Sequence, residues 1–557
     1  MKRSLEEFGA LSPAEAKLRD EIGLGGGVGI TGDWPTAPDT RRPTVQTKDN
    51  TIRAEFIRYL MLGGCKGLPK PVPETGVRVV GAWIEGKLDL EGCRCPRDLK
   101  LDDCHLDTAP NLQSAELDGV YLEHCQLPGL KADRVHVRGG VFIRESGSTD
   151  TIRLPGARIG GDLSFTGSTL RSRDKGFALA ADGAHIGGMV SLMAIDSEGT
   201  VNLPGVRVSG HLIVRERPDH GGKKPYLRYD CELRPGQDDY HESASSLRAD
   251  GAIVDGTLFI GPGLRARGLI DLNGATLGNL SDEISCWPKS HGELKLDRCT
   301  YRALTSEKVD AASRIPWLDL QDPTRFGQDF WPQPWVHCAK VLREMGHRED
   351  AKQVLIEMEK RQRTAHREKM WAKVKEAPWS MMKVRRWLVW DQRDTWDRIL
   401  GAVVAYGHRP LLAFLYLAAI WIAGATFFDR AYRDDQFKPN NAFVLRSAEW
   451  AACQEDYQQP FNEQPAPRNT PETRSQLDCF ASQPEAQSYP RFVAGVYSLD
   501  TLLPVVAMEM QEFWIPDASA GMGGRLARIY LWLHIAMGWA LSLLAVAGFS
   551  GLVRSDR

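Results

Sequence analysis

Several groups of residues in this 557-residue chain have types and spacings that invite a chemical reading. Cys93-x-Cys95, Cys104-His105 and His124-Cys125 supply the thiolate and imidazole ligands that tetrahedral zinc takes. Gly23-Leu24-Gly25-Gly26-Gly27-Val28-Gly29 has the glycine density of a phosphate-cradling loop. It lacks the Lys-Ser/Thr such loops need and follows no predicted strand, so a flexible linker is the preferred reading. Glu509 and Glu512 stand between two long apolar runs, and His534 lies inside the second of them. No Ser/His/Asp or Cys/His set has a recognisable catalytic spacing, and the Asp residues scatter without pairing. No catalytic residue, cofactor site or metal ligand is therefore assigned.

The zinc reading competes with a periodicity. An apolar residue, two positions, a small residue, one position and an apolar residue recur as Val79/Ala82/Ile84, Leu101/Cys104/Leu106 and Leu122/Cys125/Leu127. The pattern continues at Ala132/Val135/Val137, Leu154/Ala157/Ile159, Ala181/Ala184/Ile186, Leu203/Val206/Val208, Ala249/Ala252/Val254, Leu272/Ala275/Leu277 and Leu296/Cys299/Tyr301. Most steps are 21–24 residues, with one of 10 and one of 46 that reads as two turns. A period near 22 subdivided into fives describes a parallel β-helix of about four short strands per turn, rising about 4.8 Å each time. Cys104 and Cys125 fall where other turns place alanine, so packing of a small hydrophobe explains them without a metal. Leu101, Cys104, Leu106, Leu122, Cys125 and Leu127 are then the inner ladder.

These residues resemble pentapeptide-repeat-like bacterial membrane proteins. The resemblance rests on IRAEFIRYL…GVRVVGAWIEGKLDLEGC, on GARIGGDLSF-type repeats and on the terminal GWALSLLAVAGFSGLVR. Relatives of this kind are sometimes labelled membrane-associated oxidoreductases; no residue here carries such chemistry.

Pro410–Phe428 holds 19 residues without a charge, and Ile529–Val553 holds 25 with His534 as the only basic or acidic residue. Each is long enough to cross a hydrocarbon core of about 30 Å as a helix. Residues 355–409 carry 13 Lys/Arg against 7 Asp/Glu, whereas residues 429–524 carry 7 against 14. The basic side is expected to be cytoplasmic, which puts the N-terminal part and the C-terminus inside, residues 431–524 outside, and the chain in a bacterial inner membrane. Nine cysteines precede residue 339 and should stay reduced, while Cys453 and Cys479 fall in the outer segment, where a disulfide is expected. A net charge of −2 excludes a globally basic nucleic-acid binder.

Between the spans, RFVAGVYSLDTLLPVV (491–506) is too short to cross and too apolar for an exposed loop, as re-entrant or interfacial helices are. The order span, outer segment, half-helix, short link, span resembles the pore module of two-span tetrameric cation channels. The filter Thr-Val-Gly-Tyr-Gly is missing; Pro504-Val505-Val506-Ala507-Met508-Glu509 stands in its place. Pro504, Glu509, Glu512 and His534 are the pore candidates, a ring of carboxylates from several copies favouring cations. The alternative is an interfacial helix packing the outer ends of the spans.

The expected plan is a helical cap (1–75), a β-helix (76–305), a linker with a tetratricopeptide-like hairpin (306–378), an interfacial basic and Trp-rich helix (379–407) and a first span (408–430). A polar outer loop (431–490), the half-helix and link (491–524) and a second span with its tail (525–557) complete it. Its expected partners are membrane lipids, further copies of itself (a tetramer if channel-like) and a cytoplasmic protein or small molecule on the β-helix. The leading function is a homo-oligomeric, channel-like membrane protein with a sensing β-helix. A non-conducting anchored scaffold and an enzyme using a β-helix groove are the alternatives.

Overall fold

The computed structural model describes residues 4–24, 27–30, 42–64, 66–173, 176–217, 226–228, 245–322, 329–376, 395, 398, 401, 403, 405, 409, 411–453 and 476–549. Two compact units divide the chain, residues 1–365 and 366–557. Most of the expected interfacial helix (379–407) lies outside the described residues, as does most of the Gly-, Lys- and Asp-rich stretch 219–245.

Unit 1 is a parallel β-solenoid over residues 77–304. Strands of successive turns pair in register at offsets near 22, as in His136↔Arg158 and Val137↔Ile159, or His185↔Arg207 and Ile186↔Val208. Leu101 pairs with Leu122, and that strand in turn carries Ile143 on Leu122. One turn reads 136–137, 141–144, 147–148 and 152–153, four short strands joined by corners. Leu101, Cys104, Leu106, Leu122, Cys125 and Leu127 are all buried in the single apolar core that fills the coil.

Two readings of the repeat are corrected. The 10-residue step is a change of column: Leu122 stacks on Leu101 and under Ile143, whereas Val137 stacks on Leu117. Both columns obey the same rule, apolar inside and small at the corner, so pattern alone cannot separate them. The 46-residue step is one rung, because Val208 pairs directly with Val254 and Ile213 with Phe259. The extra residues fall between Leu212–Val214 and Ser245–Arg248, two strands of one turn.

Corners explain the glycines and the cysteines. The bend residue adopts left-handed backbone at Gly156, Gly183, Gly205, Gly251 and Gly274, and Arg134 and Arg298 take it at φ of 56° and 55° in the same column. The inner corner slot holds small donors that reach a carbonyl one rung below. Cys125 Sγ donates to Leu101 O at 3.2 Å, Ser146 Oγ to Leu122 O at 3.0 Å and Ser168 Oγ to Ile143 O at 2.8 Å. Burial pushes the Cys125 thiol well above its ordinary range, so it serves as a neutral donor.

At the N-terminal end, α1 (Pro13–Glu21) begins with a capping box: Ser12 Oγ accepts from the Glu15 amide, and Glu15 accepts from the Ser12 amide, both at 3.0 Å. Glu15 is also bound by Arg53 at 2.6 Å. The cap is less purely helical than expected. Thr51–Arg53 is a strand that pairs with Trp83–Glu85 before α2 (Ala54–Met61) starts. Val28 and Gly29, read from sequence as linker, pair with Val79 and Val80.

The other end is closed by α3 (Ala311–Leu318), whose Arg314 points into the last turns. Arg314 and Asp282 are both fully buried and make a two-pronged pair, Nη1 to Oδ2 at 2.9 Å and Nη2 to Oδ1 at 2.8 Å. Trp287 Nε1 donates to the same carboxylate at 2.6 Å. Beyond it, α4 (Gln333–Glu344) and α5 (Arg348–Glu376) form the expected hairpin, turning at Met345–His347. Replacing Arg314 with Ala strands a buried carboxylate and should cost about 3–5 kcal/mol, read as an earlier solenoid transition in denaturant. Arg314→Met/Asp282→Asn should recover part of it; an unchanged midpoint for Arg314→Ala would show that the pair does not close the end.

Candidate functional site: a half-helix docked between two apolar helices

Among the described residues of unit 2, two helices are long and apolar enough to cross a membrane, α6 (Leu412–Arg433) and α8 (Gly521–Phe549). Between them lies α7 (Ala494–Leu502), the half-helix expected over 491–506, stopped where Pro504 removes a donor. It packs against Trp421 and Gly424 near the middle of α6 and against His534 and Gly538 near the middle of α8.

Polar groups and glycines set that position. Trp421 Nε1 donates to Gly495 O at 2.8 Å, and the buried Ser498 hydroxyl donates to Trp421 O at 2.9 Å. His534, fully buried, brings Nε2 within 3.0 Å of Ser498 O, which assigns the proton to Nε2. A Cβ built on Gly424 would stand 2.4 Å from both His534 Cε1 and Ser498 Oγ. One on Gly538 would stand 1.8 Å from Leu502 O. The end of α7 is seated by Leu502 packed with Leu417 and Leu541. Tyr497 turns to the other side, edge-on to Phe428 at 4.9 Å and to Phe437 at 5.4 Å.

After Leu503 the chain has no regular structure until a short helix at Met510–Phe513. Val505 is 90% exposed, and Val506, Ala507, Met508 and Glu509 are exposed too. The Asp500 carboxylate reaches across this return, accepting from Met508 N at 2.6 Å and Gln511 N at 2.7 Å. Glu509, between those two amides, is held at φ 61°. Trp514–Pro516 then pairs antiparallel with Phe437–Pro439. Lys438 Nζ lies 2.9 Å from Asp517; burial pushes that carboxyl up, and hydrogen bonds from Ser519 and Lys438 outweigh it and hold it below the usual carboxylate range.

The segment expected to be a polar loop is partly built. Cys453 and Cys479 are bonded, Cα atoms 5.8 Å apart, and Trp450, Leu477 and Phe480 join an apolar core with Phe428, Phe437, Tyr497 and Trp514. The aromatic residues flanking 454–475 supply a core that the composition of that stretch did not suggest.

Of the four pore candidates, Pro504 ends α7, Glu509 lies exposed on the return, Glu512 lies exposed in the short helix Met510–Phe513, and His534 anchors α7. The structure does not bring His534 to the exposed return, since its ring is buried against Ser498 and Phe428. Sequence reasoning missed Trp421, Ser498 and Asp500, and glycines in the middle of apolar runs were the visible signal of close helix approach. In unit 1, the residues that invite a zinc reading part company: Cys104 and Cys125 face the core, and His105 stacks on Trp83 at 3.8 Å. Among the described residues no three His, Cys, Asp or Glu side chains gather around one point. No protein-family model, curated protein or solved structure matches the chain.

If the glycine contact seats α7, Gly538→Ala should displace it. A cysteine at Ser498, protected in the parent, should then react with a water-soluble maleimide, and the melting temperature in detergent should fall by several degrees. Unchanged labelling and melting would show that α7 is not held there.

Proposed function

We propose that the chain is a membrane-anchored β-solenoid protein whose two-span unit assembles with further copies of itself, four being favoured, around a water-filled cation path. The observation that carries this reading is the exposed backbone that returns from the end of α7. Leu417 lies five residues inside α6 and Leu541 eight residues before the end of α8, so Leu502 sits about 7–12 Å inside both helices at 1.5 Å per residue. If α6 and α8 cross the bilayer, non-helical backbone from Leu503 to Glu509 begins at hydrocarbon depth. Each unpaired peptide group facing lipid there costs several kcal/mol, so such backbone persists only against protein or along water. One copy leaves it uncovered; a ring of copies faces it inward.

Charge supports the same reading. Glu509 and Glu512 follow directly on the return, where repetition around an axis would build a carboxylate ring that favours cations. The basic bias before α6 supports a cytoplasmic unit 1, and the Cys453–Cys479 bond supports an oxidising, outer environment for residues 431–524. Reconstituted in planar bilayers, the full chain should pass cations in preference to anions, and Glu509→Gln/Glu512→Gln should lower that preference. A stable monomer in detergent, or no current from the wild type, would end the pore reading.

A second reading, an anchored scaffold for an acidic protein segment, is favoured by one face of the solenoid. His136, Arg158, His185 and Arg207 stack on successive rungs, all exposed, with glycines 156, 160, 183, 187 and 205 beside them. Arg158 and Arg207 have no acidic partner among the described residues, and the glycines leave the face flat enough for an extended chain. A fluorescent polyglutamate peptide should bind the detergent-solubilised full chain, and Arg158→Glu/Arg207→Glu should weaken it about tenfold, or about 1.4 kcal/mol. Equal binding by parent and variant would end the scaffold reading.

A further inference from the structure

The Asp500 carboxylate has geometry that the pore reading does not itself require. Its Oδ1 accepts from Met508 N and its Oδ2 from Gln511 N, amides eight and eleven residues further along the chain. Between those amides Glu509 adopts the left-handed backbone, a conformation that glycine takes freely and a glutamate does not. Such a residue stays there only when its surroundings over-determine it. Two bonds, one on each side of Glu509, meet that requirement.

The base from which Asp500 acts is itself fixed. Two residues earlier, Ser498 is tied to Trp421 O on α6 and faces His534 on α8, and Leu502, two residues later, rests on Gly538. Asp500 thus transmits the position of a docked helix to the far end of a segment that has no regular structure of its own. Without the clamp, Glu509 would relax to negative φ, and its Cβ would swing to another direction.

We propose that Asp500 is the positioning residue of the outer mouth: it holds the return from Leu503 to Gln511 closed and aims the Glu509 carboxylate, and so sets how strongly the path prefers small hydrated cations. This rests on reading the unit as a pore. The chemistry calls for aspartate: a carboxylate accepts on both oxygens, whereas an asparagine side chain accepts on one and would turn an NH2 group toward an amide donor.

The test uses the full chain in two assays. In bilayers, Asp500→Asn, with Glu509 intact, should lower the cation-over-anion permeability ratio about as far as Glu509→Gln does. Because the two act through one carboxylate, Asp500→Asn/Glu509→Gln should add little beyond either single change. In detergent, amide hydrogen exchange at Met508 and Gln511 should quicken about tenfold in Asp500→Asn, with the exchange of α6 and α8 unaltered. An unchanged ratio, or a double variant in which the losses simply add, would overturn the positioning role. Absence of current from the wild type would end the pore reading and the selectivity role together. Exchange would then bear on the clamp alone, and unaltered rates at both amides would overturn that too.

Discussion

Backbone hydrogen bonding is the constraint on which both units depend. A β-solenoid has little but its rungs: each turn's amides donate to the turn below or above, and the registers Leu101↔Leu122 and Val137↔Ile159 are the form that satisfaction takes. Side chains serve that ladder. Leucine, isoleucine and valine fill the coil, while Cys125, Ser146 and Ser168 donate to carbonyls of the neighbouring rung at a corner. Ala82 fills the same slot two rungs before Cys125, so methyl, thiol and hydroxyl interchange along one column.

A ladder must also end. At the N-terminal end two short strands extend it under α1 and α2, and the Glu15–Arg53 pair holds them there. At the other end a buried arginine and aspartate meet over the last turns with Trp287 as third partner. Charged pairs buried this deeply add little net stability over apolar residues of like shape, yet removing one partner is costly. α3 covers the last rung, where an open strand edge would invite edge-to-edge pairing.

In unit 2 the same constraint operates with less help. α6 and α8 satisfy their own backbones, and α7 does so for nine residues, but the return beyond Leu503 does not. Its nearest support is Asp500, whose two bonds account for Met508 and Gln511 and leave the backbone between Leu503 and Ala507 open. Glycine decides how deep this goes. At Gly424 and Gly538 any side chain would meet Ser498, His534 or the Leu502 carbonyl, so the closeness of the three helices depends on two missing Cβ atoms.

Sequence alone determined the coil, because a 22-residue period of inward apolar residues and small corner residues has one physical solution, and it set the ladder from Leu101 to Leu127. It also determined the two apolar helices and the α7 segment, through length, composition and the helix-ending Pro504, and it singled out Cys453 and Cys479 by separating them from the nine cysteines before residue 339. It did not distinguish the two columns that share one corner rule, nor see that 46 residues make a single rung. Those depend on which strands pair, and pairing is a long-range choice. The Arg314–Asp282 closure, the seat of α7 and the Asp500 clamp were likewise decided only in three dimensions. They join residues as near as Asp500 and Met508, 8 positions apart, and as far as Gly424 and His534, 110 apart, and only the packing of helices against one another, or of a helix over the last rung, turns an ordinary serine, histidine or aspartate into a fixed partner.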